Sequence, residues 1–95
     1  MEKDKVVTIL DRAIDSAAAH LEGTTRDATL GEEFDGQIER FLVVLREMRS
    51  SLHHDDPNVP RIGMCHAIVD GWPLHSELGT SVCEAERAYW RYRFA

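Results

Sequence analysis

A chain of 95 residues, 43% hydrophobic and 29% charged, has the makings of one modest core, since domains run about 100–200 residues. A chain of this size hides only roughly two-thirds of its unfolded surface, so a dimer would help it. The net charge of −6 at pH 7 opposes phosphate backbones and speaks against generic nucleic-acid binding.

No apolar run approaches the roughly 18 residues needed to span a membrane. The opening stretch MEKDKVVTILDRAID is charged throughout and lacks the apolar centre of a signal peptide. A cytoplasmic globular protein is the expectation. The charge is uneven: Met1 to Asp35 carries nine acids against four bases, while Gly36 to Ala95 has eight against seven. Arg87, Arg91 and Arg93 stand near the C-terminal end, with no acid after Glu86. Such an asymmetry can orient an antiparallel pair of chains or a partner, subject to screening by salt.

The spacing predicts a first helix from about Asp4 to Glu22. Val7, Leu10, Ile14, Ala17 and Leu21 alternate by threes and fours, and Val6, Ile9 and Ala13 make a weaker line beside them. The run Ala17 to Ala19 lets a neighbour approach closely, and Gly23 suits a left-handed C-cap. After the polar loop from Gly23 to Gly31, Thr29 and Glu32 form a candidate capping box for the second helix.

That helix, 32–52, is the most apolar stretch. Phe34, Ile38, Phe41, Leu45, Met48 and Leu52 lie on one heptad seam. Leu42, Val43 and Val44 lie off it, so Phe41 to Leu45 is apolar all the way round and one neighbouring helix cannot cover it. The surplus face reads as a subunit or partner interface.

The segment HHDDPNVP stops the helix, and Asp56 or Asn58 can cap a short third helix, 61–70. Ile62, Cys65, Ile68 and Val69 are its expected inward residues. Gly71 closes it, and Trp72 is large enough to plug the end of a small core. Leu74 to Gly79 reads as a single helical turn. Ser81 with Glu84 is a second candidate capping box, opening a last helix over 81–94 with Val82, Ala85, Tyr89 and Tyr92 on one face. No segment alternates with the period of a strand. The expected fold is all-α, a single-domain bundle of three to four helices.

Chemical motifs are sparse. His53, His54, Asp55 and Asp56 are residue types that bind metals, with Cys65 and His66 downstream. Metal sites need ligands at converging spacings, and adjacent side chains diverge, so these are weak candidates beside a solvated loop. Consecutive Cys65 and His66 point about 100° apart on a helix and would not meet. Cys83 near a helix start is at most a mildly reactive thiol. In a reducing compartment both cysteines read as free, small apolar core residues, with a disulfide between them the minor alternative. No phosphate loop, nucleophile elbow or cofactor motif is present. The chain reads as non-enzymatic, with no cofactor.

The C-terminal Arg87-Ala-Tyr-Trp-Arg-Tyr-Arg-Phe interleaves aromatic and basic residues. These types stack on bases, and they also dominate protein–protein hot spots. In an acidic chain the second use is favoured.

The segment Arg61-Ile-Gly-Met-Cys-His-Ala-Ile resembles an R-x-G-[I/M]-C-x-A-[I/L] stretch of small helical phage-borne or chromosomal bacterial proteins; the resemblance implies a helical packing unit without a catalytic role. In length, acidic helical character and surplus apolar helix surface, the chain resembles the small QslA-like anti-activators of bacterial quorum sensing. That resemblance implies a helical protein without a DNA-binding domain that binds a LuxR-type transcription factor and blocks its dimerisation. It carries no functional residue across.

The expected function is thus a non-enzymatic, homodimeric regulator that sequesters a protein partner without contacting membrane or nucleic acid. Leu42, Val43 and Val44, with Tyr89, Trp90 and Arg91, are the expected interface. The alternatives are a metal- or ligand-binding sensor and a phage-type inhibitor of a nucleic-acid enzyme.

Overall fold

The computed structural model describes residues 2–54 and 58–94. Four helices follow one another: α1 (Lys3–Glu22), α2 (Asp35–His54), α3 (Met64–Gly71) and α4 (Glu77–Arg93), with a 3₁₀ turn (Glu32–Phe34) leading into α2. There is no strand among the described residues. The chain is an all-α bundle.

The hub is α1, not α2. It packs along both α2 and α4, whereas those two touch only briefly. Val6, Leu10, Ala13 and Ala17 are wholly buried, and His20 continues their line at 1% exposure. These five residues alternate by four and three, a second heptad seam one position round from the line led by Val7. Val7, Ile14 and Leu21 are only half-buried. The side carrying Ala13 and Ala17 wins because small residues let two helices close on α1 at once. Gly23 ends the helix in the left-handed region at φ 80°, which glycine adopts without a Cβ penalty.

The entry to α2 differs from the expected capping box. Thr29 donates its backbone N–H and its hydroxyl to Asp27, and the chain passes through the 3₁₀ turn before α2 begins at Asp35. Along α2 the seam residues Ile38, Phe41, Leu45, Met48 and Leu52 are buried, and so are Leu42 and Val44. Trp72 plugs this end of the core, edge-on to Phe34 and stacked at 5.8 Å on Phe41. Its indole N–H donates to Gln37 Oε1 at 2.7 Å. At the other end Tyr89 OH pairs with Ser51 Oγ at 2.6 Å, and Arg93 reaches the Ser51 carbonyl. Asp11 and Arg49 join α1 to α2 across the surface at 2.8 Å.

The third helix is shorter than expected; of its two candidate caps, Asp56 lies outside the described residues and Asn58 lies upstream of the N-cap position, which Gly63 takes. The helix starts after Gly63, which adopts φ 69°, and no side chain of its own caps it. The cap comes from α4 instead. The Glu86 carboxylate accepts the N–H of Met64 at 2.7 Å and of Cys65 at 2.9 Å, satisfying two of the orphan donors of a helix start. Only Met64 and Ile68 are buried; Ile62 and Val69, expected inside, are 41% and 68% exposed. An eight-residue helix cannot turn both of its apolar sides inward.

The last helix starts one turn earlier than expected, capped by Ser76, whose hydroxyl accepts the Gly79 N–H. Asp27 from the α1–α2 loop reinforces that cap by accepting Ser76 Oγ and the Leu78 N–H. Ser81 lies inside the helix.

Candidate functional site

Two structural decisions leave a groove open between α3, the Trp72–Pro73–Leu74 turn and α4. The first is the anchoring of α3 by its N-terminus to Glu86, which fixes its distance from α4. The second is Gly79, where a Cβ would come within 3.0 Å of Ile68 and 3.1 Å of the Trp72 ring. Glycine there lets the end of α3 and the turn settle onto the start of α4.

The groove has a volume of about 570 Å³, within the usual range for ligand sites of roughly 300–1,000 Å³. Ile68 and Trp72 form its apolar floor, with Ile9 of α1 contributing a wall. Val69 and Leu74 stand at the rim, Leu74 at 91% exposure and thus almost free of the rest of the chain. Arg87 and Arg91, one turn apart on α4, line the same groove, accompanied by the acid Glu84. Among the described residues neither arginine forms an ion pair. An apolar trough with two unpaired cations is the result.

Cys65 and Cys83 also line this groove, both half-buried and free. Both are free, as the sequence suggests; Cys83 packs against the edge of the core and neither is fully buried. Burial, and next the neighbouring Cys65 thiol, push the Cys83 thiol up to about 12; Arg87 pulls the other way without prevailing.

Of the six expected interface residues, three are buried. Leu42 and Val44 belong to the hydrophobic core at 7% and 4% exposure, and Tyr89 is fully enclosed. The all-round apolar stretch of α2 is covered by this chain's own helices and leaves out only Val43, at 54% exposure. Trp90 is half-buried, edge-on to Tyr89 and stacked on Phe94, with the Arg61 guanidinium 5.1 Å from its ring. Arg91 alone of the six lines the groove. Val43, on α2, lies outside it.

His53 and His54 are exposed at the end of α2 with ring centroids 6.5 Å apart and tilted by 60°. Asp55 and Asp56 lie outside the described residues. Among the described residues no three His, Cys, Asp or Glu side chains are grouped to hold a metal ion.

A polar knot at the C-terminal end of α1 was not foreseen. Buried His20 accepts the Asp27 N–H on Nδ1 at 2.9 Å, so its proton sits on Nε2, which faces Asp35 Oδ1 at 3.5 Å. Arg26 bridges the His20 carbonyl and the same Asp35 oxygen. The loop holds Nδ1, while Nε2 is buried beside Asp35 without a hydrogen bond; His20 is a structural tie through its Nδ1 side. Burial alone would raise the pKa of Asp27, but hydrogen bonds from Thr29, Leu78 and Ser76 outweigh it and hold the carboxyl at about 2. The knot joins α1, the loop and the start of α4.

No protein-family model, curated protein or solved structure matches the chain. No helix among the described residues is long and apolar enough to cross a membrane.

Proposed function

We propose that the chain is a non-enzymatic protein-binding regulator whose α3–α4 groove takes an apolar, acid-bearing helical segment of a partner protein. One observation carries the reading: Leu74, Val69 and the groove floor form a continuous apolar surface left open beside two unpaired arginines. Apolar anchors of the partner would fill the trough while its acids meet Arg87 and Arg91, an arrangement in which the charges set orientation and the buried contacts set lifetime. The mechanism is steric. A partner helix held here is withdrawn from its own assembly. The narrower reading, an anti-activator that keeps a LuxR-type transcription factor monomeric, uses the same groove and depends on that regulator offering such a helix.

Selection of displayed helical peptides against the folded protein tests the proposal. The expected winners pair an apolar seam with acids, and Leu74→Glu removes their binding. Reversing both arginines, Arg87→Glu with Arg91→Glu, should shift the winners towards basic sequences. Winners indifferent to Leu74→Glu and to the charge reversal would place the binding surface elsewhere.

A further inference from the structure

Cys65 and Cys83 stand on different helices, yet Glu86 brings them together. Cys65 is the second residue of α3, and its N–H is held 2.9 Å from Glu86 Oε1. Glu86 lies three residues beyond Cys83 on α4, about one helical turn away and on the same side. The carboxylate that caps α3 thus brings the start of α3 beside Cys83, the Cys65 side chain is hydrogen-bonded with that of Cys83, and both thiols are half-buried on the wall of the open groove.

We propose that these two residues form a redox-active dithiol that closes to a disulfide by exchange with a low-molecular-weight disulfide such as oxidised glutathione. Its closure would tie the start of α3 to the middle of α4 along the groove wall.

The exchange runs in two displacements. The Cys65 thiolate attacks one sulfur of glutathione disulfide, forming a mixed disulfide and expelling one glutathione thiolate. Cys83 then gives its proton to that thiolate or to solvent, attacks the Cys65 sulfur and expels the second glutathione. Two electrons pass from the protein pair to the glutathione disulfide, and two glutathione thiols result. The exchange balances equally with the roles of the two cysteines interchanged. Arg87, one turn from Cys83, supplies the positive charge that favours the second thiolate as it forms.

The chemistry of the pair is independent of what the groove binds and is read without a partner. The full chain is equilibrated in reduced and oxidised glutathione, quenched with acid and weighed intact, once folded and once in denaturant. The expected product of the folded chain is a single species lighter by two hydrogens. Its exchange constant should exceed that of the denatured chain by roughly tenfold or more, equivalent to about 30 mV. Cys65→Ser and Cys83→Ser should each give only a glutathione adduct. Persistent glutathione adducts on the folded wild type, two thiols left unreacted, or closure no more favourable folded than denatured would each overturn the proposal.

Discussion

The helices α1 and α3 are both apolar enough to be core elements, yet one is swallowed and the other is half left out. Along α1 every residue of the line Val6, Leu10, Ala13 and Ala17 is fully buried, because two helices close on its alanine side. Along α3, Met64 and Ile68 are inside while Val69 is outside, and Leu74 just beyond it is the most exposed large apolar residue described. The difference is one of coverage. α1 has neighbours on two sides, whereas α3 has α4 on one side and solvent on the other. Apolar surface that no part of the chain covers carries an unspent drive to bind, and here it lies beside unpaired arginines. Among the described residues Val69 and Leu74 gather exposed apolar surface at α3 and the turn after it, whereas on the α2 stretch to which the sequence had pointed only Val43 is exposed.

The sharpest break in the comparison comes from trimming the two helices alike. Leu10→Ala should destabilise the fold by about 2–5 kcal/mol, since it opens a cavity in a fully packed site. Val69→Ala should stay within about 0.5 kcal/mol, the range of ordinary surface changes. Urea unfolding measures both, and similar losses at the two sites would erase the distinction between them.

A smaller effect tests what holds α3 in place. Glu86→Ala leaves the N–H groups of Met64 and Cys65 without their acceptor in a nearly buried site, and should cost about 1–3 kcal/mol. Hydrogen exchange should show the start of α3 losing protection while α1 keeps its own. Uniform loss across all helices would mean that Glu86 supports the whole bundle rather than α3 alone.

The smallest effect concerns acid. Asp27 has a folded pKa of about 2 against an ordinary value of 3.8, so the stability it contributes is fully present above the ordinary value. That contribution is lost as pH falls through about 4 towards 2. Solvent screening of a partly exposed carboxylate limits it to roughly 1–2 kcal/mol. Asp27→Asn should be less stable at neutral pH and should show a flatter decline in that acid window. An acid profile unchanged by the substitution would remove Asp27 as the cause.

Much of the fold was legible because helix signals are local. Gly23 as a left-handed cap, the seam of α2 and the plugging role of Trp72 follow from residue type and spacing. The buried face of α1 shares Leu10 and Ala17 with the expected line but is turned towards Val6 and Ala13, for a physical reason. The lines led by Val6 and Val7 both satisfy a three-four alternation, and the Val7 line is richer in large apolar residues. Only tertiary packing favours the smaller residues of the other. His20 sat in plain view on that second line, four-three spaced from Ala13 and Ala17, as the one sign of a buried polar tie. The capping of α3 by Glu86 and of α4 by Asp27 spans distant parts of the chain, so no local motif could show it. The groove was hidden likewise, since Val69 at helical spacing reads as inward until the shortness of α3 and the course of the turn are known.

The groove at α3 and the exposed side of α2 can be set against each other in one titration. A segment selected by display is titrated calorimetrically into the wild type, Leu74→Glu and Val43→Glu. Both substitutions fall at exposed positions, 91% and 54%, so both proteins should fold normally. The expected result is a loss of at least about tenfold in affinity for Leu74→Glu, roughly 1.4 kcal/mol, with Val43→Glu binding as wild type does. Full affinity in Leu74→Glu, with the loss confined to Val43→Glu, would contradict the account and return the binding surface to α2.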